Sequence, residues 1–175
     1  MAFSKMRTNA KYLAQVGMVA ALYASLTFAF SPISYGPVQV RISEALTVLP
    51  YVMPASVWGL FIGCFLANWL GGLGPWDIFA GSLCTLLAAV LTHCVRKTKK
   101  PWLAPLPPVL VNAFGVSAYL QLLFQPPPIP VFKGLPPYFL FVISVGTGEL
   151  IACYVLGYPL LYVILRRRWP AGGPH

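Results

Sequence analysis

Residues 42–70 read ISEALTVLPYVMPASVWGLFIGCFLANWL, an apolar run of 29 residues that contains Pro50 and Pro54. A membrane-spanning helix needs about 20 apolar residues, so this run is too long for one span. Proline removes a backbone donor and clashes with the preceding helical turn, which favours a break between two helices. Each half would be only about 20 Å long as an α-helix, against a bilayer core of about 30 Å. We therefore predict a hairpin whose first helix is short, tilted or partly covered by the loop before it.

Four further apolar runs lie at residues 12–30, 76–95, 102–124 and 137–165. Three basic clusters flank the runs: Lys5, Arg7 and Lys11, then Arg96, Lys97, Lys99 and Lys100, then Arg166, Arg167 and Arg168. Because Lys and Arg accumulate on the cytoplasmic side of membrane proteins, we place all three clusters there. Between the first and second clusters the chain must then cross the membrane an even number of times. The hairpin supplies the additional crossing that makes the number even. The sequence predicts an all-α, polytopic membrane protein, a six-helix transmembrane bundle of one domain (residues 1–175) with both termini cytoplasmic.

The composition excludes several other classes of protein. The chain has 175 residues, of which 58% are apolar and 9% are charged, whereas a soluble domain carries about 25% charged residues. Its net charge of +9 lies in clusters between apolar runs, which is typical of membrane topology and not of nucleic-acid binding. No phosphate-binding loop, HExxH or GxSxG motif occurs. We therefore expect neither an enzyme nor a bound metal or cofactor.

Six polar residues map to the outer half of the predicted bundle: Arg41, Glu44, Asn68, Asp77, Asn112 and Glu149. They include all three acidic residues of the chain. An ionisable side chain at the centre of a membrane helix costs about 2.5–3.5 kcal/mol on insertion scales, so such residues mark function more often than chance. Glu149 falls in mid-helix and needs a partner. The pattern predicts an outward-open pocket that binds a ligand with hydrogen-bond donors or a positive charge.

Each of these residues also has a structural interpretation. Asp77 follows Gly-Pro-Trp and suits the N-cap of a helix. Arg41 and Glu44 are three residues apart and are able to form a local salt bridge. Asn68 and Asn112 are able to join neighbouring helices by hydrogen bonds.

The outer loops and aromatic residues raise two further alternatives. Residues 31–43 and 125–137 are rich in proline and apolar residues, which favours a lid over a plain connector. Four outer aromatic residues would stack on a planar heterocycle, or would form an interfacial belt: Tyr35, Trp69, Trp76 and Tyr138.

Small residues line the first helix: Gly17, Ala20, Ala21, Ala24 and Ser25. Ala20 and Ala24 form an AxxxA pair, and Gly59 and Gly63 form a GxxxG pair in the hairpin. Such spacing permits close approach of two helices, and packing within the chain is its default interpretation.

Four segments combine these polar residues with characteristic neighbours: Arg41-Ile-Ser-Glu44-Ala-Leu-Thr-Val-Leu-Pro50, Gly72-Leu-Gly-Pro-Trp-Asp77, Leu106-Pro-Pro-Val-Leu-Val-Asn112-Ala and Gly148-Glu149-Leu. They resemble the QueT family of substrate-binding S components of energy-coupling factor (ECF) transporters. The resemblance implies a six-helix bundle in a prokaryotic cell membrane. It also implies a queuosine precursor as ligand, 7-aminomethyl-7-deazaguanine (preQ1) or a close relative. The implied partners are a transmembrane scaffold subunit, contacted through Ala20 and Ala24, and two ATPase subunits.

Chemistry and resemblance together suggest how the ligand is held. Glu149 would accept the N1–H and exocyclic amine of the deazaguanine edge, and Glu44 or Asp77 would receive the ammonium group. The alternatives are an S component for thiamine, riboflavin or biotin, a structural membrane protein without a ligand, and a solitary channel or carrier. The structural protein would have its acids paired to Arg41 or Lys133 and no cavity, and a channel would need polar groups along its inner half.

Overall fold

The structure is a computed structural model that describes residues 2–34, 41–72, 74–125 and 134–168. Over these ranges it is built of helices and contains no strand. Helix α1 comprises Ala2–Ala29 and is followed by one short turn of helix, Ser31–Ser34. The 3-10 helix α2 covers Ile42–Tyr51, and α3 covers Ser56–Leu70.

The second half of the bundle contains three long helices. Helix α4 starts with a π-helical turn, Asp77–Gly81, and continues as Ser82–Val95. Helix α5 covers Leu106–Leu123. Helix α6 runs through Pro137–Leu150, a π-helical stretch Ile151–Gly157, and Tyr158–Arg168.

The prediction of an all-α, six-helix membrane bundle is confirmed. Four helical segments are long and apolar enough to cross a bilayer: Asn9–Ala29, Asp77–Thr98, Pro101–Leu123 and Pro137–Arg167. The remaining two helices, α2 and α3, are the halves of the predicted hairpin. The chain is therefore a multi-pass membrane protein.

The predicted hairpin break is confirmed at Pro54, because α2 ends at Tyr51 and α3 begins at Ser56. Pro50 was also predicted to break the helix, but it lies inside α2, one residue before the end. The sequence did not predict the 3-10 form of α2. A 3-10 helix rises about 2.0 Å per residue, so its ten residues span about 20 Å. Every residue from Ser43 to Tyr51 is buried. Because the other helices enclose α2, its short length does not expose it to a mismatched lipid layer.

The GxxxG pair of α3 packs inside the chain, against α1. A Cβ atom at Gly63 would lie 2.8 Å from Tyr23 Cβ and 2.9 Å from the Ala20 carbonyl oxygen. A Cβ atom at Gly59 would lie 2.7 Å from Val19 Cβ. These distances are too short for any side chain larger than hydrogen, so the two glycines set the close contact between α1 and α3.

The end of the bundle near Pro50 is closed by contacts to backbone carbonyl groups. His93 Nδ1 lies 3.1 Å from the Pro50 carbonyl oxygen, where α4 passes the end of α2. Thr92 Oγ1 donates to the Ala104 carbonyl oxygen at 3.2 Å. The three acidic residues lie away from this end, in the half of the bundle that contains the start of α2 and α4.

Candidate functional site

Two carboxylates from different helices meet at one asparagine inside the bundle. Asn112 Nδ2, on α5, donates to Glu149 Oε1 of α6 at 3.0 Å and to Glu44 Oε2 of α2 at 3.4 Å. Glu44 is 1% exposed and Glu149 is 7% exposed. The Asn112 amide thus joins two glutamates that lie far from it in the chain, Glu44 at 68 positions and Glu149 at 37 positions.

Helix α1 positions the carboxylate of Glu44. The Tyr23 hydroxyl donates to Glu44 Oε1, and the Tyr23 side chain is fully buried. Thr27, one turn further along α1, is hydrogen-bonded to Ser43 Oγ at 2.8 Å. These two contacts tie the start of α2 to α1 and orient Glu44 toward Asn112.

The carboxylate of Glu149 has a second, weaker partner. Cys153 lies four residues further along α6, at the π-helical stretch, and its Sγ donates to Glu149 Oε2 at 3.4 Å. The same sulfur lies 3.5 Å from Thr47 Oγ1 of α2. Cys153 was not among the residues predicted for the site, so this polar contact was missed.

A small cavity adjoins the two glutamates. Its lining consists of Arg41, Glu44, Gly81, Thr85, Asn112, Val116, Val145 and Glu149. Its volume is about 20 Å³, enough for about one water molecule. Four of the six residues predicted for the pocket therefore lie on its wall.

Asp77 belongs to a neighbouring cluster and does not line the cavity. Tyr119 Oη, on α5, donates to Asp77 Oδ1 at 3.0 Å. Arg41 Nη2 lies 4.0 Å from the same oxygen. The alternative of an Arg41–Glu44 salt bridge is therefore wrong, because within the described ranges the ion pair of Arg41 is with Asp77. The N-cap alternative for Asp77 is also wrong, because Asp77 lies inside the helix: residues 75–76 are already helical, and the π-helical stretch that begins at Asp77 follows Trp76.

Asn68 fixes the turn that presents Asp77. Its Nδ2 donates to the Asp77 carbonyl oxygen at 2.7 Å, which links the end of α3 to the start of α4. Its position matches the interhelical interpretation better than direct cavity lining, because it is separated from the cavity by Gly81. A Cβ atom at Gly81 would lie 3.4 Å from Asn68 Nδ2 and 3.0 Å from Tyr119 Oη.

Several buried polar atoms around the cavity have no hydrogen-bond partner among the described residues. They include the donors Nε and Nη2 of Arg41 and the acceptor Oδ1 of Asn112. Buried polar groups are normally hydrogen-bonded, so each such group needs an explanation. Here unused donors and an unused acceptor lie in the wall of one cavity, which is the arrangement that a polar ligand requires.

The outer aromatic residues do not supply a stacking surface for this cavity. Trp69 is 60% exposed and Trp76 is 55% exposed, and neither lines the cavity. The Tyr138 hydroxyl donates to the Phe114 carbonyl oxygen at 3.3 Å. These positions favour the interfacial belt over stacking. Tyr35 and most of the two loops predicted as lids lie outside the described residues.

Tyr23 and Tyr119 are the polar aromatic residues that sequence reasoning missed. A tyrosine in the middle of an apolar run is a usable signal, because its hydroxyl needs a partner when it is buried. Tyrosine otherwise concentrates at the two membrane interfaces. Which carboxylate each hydroxyl reaches depends on helix packing, and the sequence does not contain that information.

The AxxxA pair of α1 does not form an outward face in the structure. Ala20 is 5% exposed and its backbone packs against Gly63, while Ala24 is half-buried. The face of α1 that points away from the bundle instead carries the small residues Gly17, Ala21 and Ser25.

Comparison of the sequence with known proteins identifies a family. A family model described as QueT transporter matches residues 13–166. A curated relative described as "Queuosine precursor transporter QueT", from Lactococcus lactis subsp. cremoris (strain MG1363), is 39% identical over 75 residues. The aligned part covers 41% of this chain and 43% of the length of that relative. No solved structure matches the chain.

Proposed function

Because the chain belongs to the QueT transporter family, we propose that it captures a queuosine precursor from outside the cell and delivers it inward. The ligand class is a 7-deazaguanine with an aminomethyl group, preQ1 or a close relative. The observation that carries this proposal is the buried pair Glu44 and Glu149, joined by Asn112 on the wall of one cavity. The name of the Lactococcus relative supports the same ligand class.

The hydrogen-bonding capacity of the site suits a deazaguanine. An ionised carboxylate has about four acceptor positions, and the described contacts of Glu149 use two of them. Glu149 therefore has acceptors left for the N1–H and exocyclic amine of the ligand. Nε and Nη2 of Arg41, which make no hydrogen bond to the described residues, suit the ligand carbonyl group, and Oδ1 of Asn112 suits a ring N–H.

The formal charges of the site favour a cationic ligand. Three carboxylates, those of Glu44, Asp77 and Glu149, share the region with one guanidinium group, that of Arg41. A protonated aminomethyl group would offset part of the excess negative charge by a charge-assisted hydrogen bond to Glu44. Glu44 lines the cavity and Asp77 does not, so we assign the ammonium to Glu44.

The cavity must widen before the ligand enters. Even benzene occupies a cavity of about 150 Å³, far more than the present volume of about 20 Å³. Arg41 lies on the cavity wall and also contacts Asp77 of the neighbouring cluster. We propose that movement of Arg41 and the start of α2 opens the site toward the predicted extracellular side.

Delivery would depend on partner subunits. We propose that the chain is the S component of an ECF-type importer, with a transmembrane scaffold subunit and two ATPase subunits. Both termini and the three basic clusters would then face the cytoplasm. Because Ala20 is packed against α3, the scaffold would contact the outward face of α1, which comprises Gly17, Ala21 and Ser25 and borders Ala24.

Ligand identity is tested on the purified chain in detergent. Isothermal titration with preQ1, guanine, thiamine, riboflavin and biotin measures selectivity, and mass spectrometry identifies any molecule that co-purifies. We expect preQ1 to bind and the three vitamins to show no heat. Binding of a vitamin in place of preQ1 would keep the transporter class but overturn the ligand. Absence of binding to all of them would overturn the substrate-binding function.

The scaffold contact is tested with two matched substitutions on α1. Ala21→Leu adds bulk to the outward face, and Ala20→Leu adds the same bulk against Gly63. We expect Ala21→Leu to bind preQ1 normally but to lose co-purification with the scaffold subunit. Ala20→Leu should lower the yield of folded protein by overpacking. Normal assembly of Ala21→Leu would show that the scaffold contacts another face.

A further inference from the structure

A second, larger cavity lies between α4 and α5, near the end of the bundle that His93 and Pro50 close. It is an open groove of about 400 Å³. Except for Thr98, its lining is apolar and includes Leu91, Val95, Leu106, Leu110 and Val111. Leu91, Leu106 and Leu110 are exposed, so this groove lies on the surface that the lipid bilayer covers.

A cluster of cations borders one end of the groove. Arg96, Lys97, Lys99 and Lys100 are all exposed and surround Thr98, which is itself part of the lining. The Thr98 hydroxyl donates to the Val95 carbonyl oxygen at 2.8 Å, so the turn that carries the cations is tied to the last turn of α4. The turn that carries the cations therefore lies at one end of the groove.

No acidic side chain of the chain is available to neutralise this cluster. The sequence contains only three acidic residues, and all three are buried in the region of the carboxylate site. The four cations therefore remain available to an anionic group from outside the chain.

The geometry points to a binding site for one anionic phospholipid, with an acyl chain in the groove and the phosphate among Arg96, Lys97, Lys99 and Lys100. A free phosphate would use the cations but would leave the apolar groove unexplained. A zwitterionic lipid would fill the groove but would not compensate the charge. Basic residues beside a membrane helix attract anionic lipids, and basic pockets between helices bind their head groups.

A second basic cluster at the same end of the bundle provides a control. Arg166 and Arg167 are exposed near the end of α6, and no lining residue of the groove comes from that helix. The guanidinium of Arg166 lies 4.6 Å from the centre of the Tyr162 ring. If the lipid binds in the groove, removal of the charges of Arg166 and Arg167 should not release it.

Native mass spectrometry of the full chain tests the site, with phosphatidylglycerol and phosphatidylcholine supplied in equal amounts. We expect one phosphatidylglycerol to be retained in preference to phosphatidylcholine. The double variant Lys97→Gln/Lys100→Gln should weaken this retention at least about tenfold, because each cation contributes roughly fivefold. The double variant Arg166→Gln/Arg167→Gln should retain the lipid.

A pair of tryptophan substitutions tests the groove itself. Leu110→Trp fills the groove and should release the lipid, whereas Leu87→Trp adds the same side chain to an exposed position on α4 outside the lining. Equal retention of both lipids, equal loss in the two charge variants, or retention in Leu110→Trp would each overturn the proposal. The test is independent of preQ1 binding, so the lipid site and the proposed function can fail separately.

Discussion

Two carboxylate clusters lie side by side in this bundle and differ in their contact with the cavity. Asp77 accepts from Tyr119, has Arg41 at 4.0 Å and does not line the cavity. Glu44 and Glu149 share the amide of Asn112, and both lie on the cavity wall. The same type of side chain thus connects helices in both clusters, and Glu44 and Glu149 also adjoin the cavity in which we propose that the ligand binds.

Hydrogen bonds between helices allow these acids to stay buried in a membrane protein. Each carboxylate receives at least one hydrogen bond from another helix: Asp77 from α5, Glu149 from α5, and Glu44 from α1 and α5. A buried charge without such partners is costly, so the helices that donate to these acids are also held together by them. Packing and site formation are therefore coupled.

The largest expected effect is that of Glu149→Gln on affinity for preQ1. The change keeps the shape but replaces one charged acceptor by an NH2 group that faces the donors of the ligand. Loss of hydrogen bonds to a charged group costs about 1.5–3 kcal/mol, so the Kd should rise about 10- to 150-fold. Isothermal titration measures this Kd, and Asp77→Asn is the matched control because Asp77 does not line the cavity. An equal loss in the control would mean that the Asp77 cluster binds the ligand.

Tyr23→Phe should have an intermediate effect. The ring that packs against Gly63 remains, but Glu44 Oε1 loses the hydroxyl donor that orients it. A net loss of about 1 kcal/mol corresponds to roughly a fivefold rise in the Kd for preQ1. Thr27→Val is a control, because it removes a hydroxyl from the same helix that contacts Ser43 and not Glu44. Unchanged affinity in Tyr23→Phe would show that Glu44 needs no support from α1.

The smallest expected effect on affinity is that of Tyr119→Phe. It removes the donor to Asp77 Oδ1 but leaves the Glu44–Asn112–Glu149 group intact. We expect the Kd for preQ1 to change by less than about threefold, while thermal unfolding in detergent shifts downward by a few degrees. A larger fall in affinity than in Tyr23→Phe would reverse the proposed roles of the two clusters.

Much of the site was predictable because membrane burial makes polar residues conspicuous. Arg41, Glu44, Asn112 and Glu149 were predicted for the pocket and lie on the cavity wall. Asn68 and Asp77 were predicted with them but belong to the neighbouring cluster, because the order of residues along a helix does not specify which neighbour each side faces.

The amino-acid sequence by itself determined that this chain is a helical membrane protein, because long apolar runs and few charges leave no other solution in a bilayer. It also indicated where the hairpin breaks, since Pro54, between α2 and α3, lacks a backbone donor. Only the tertiary structure decided that Ala20 faces α3 and that Asn112 joins two glutamates from distant parts of the chain. Those outcomes depend on how the helices rotate and approach one another, and close packing at Gly59 and Gly63 sets that geometry.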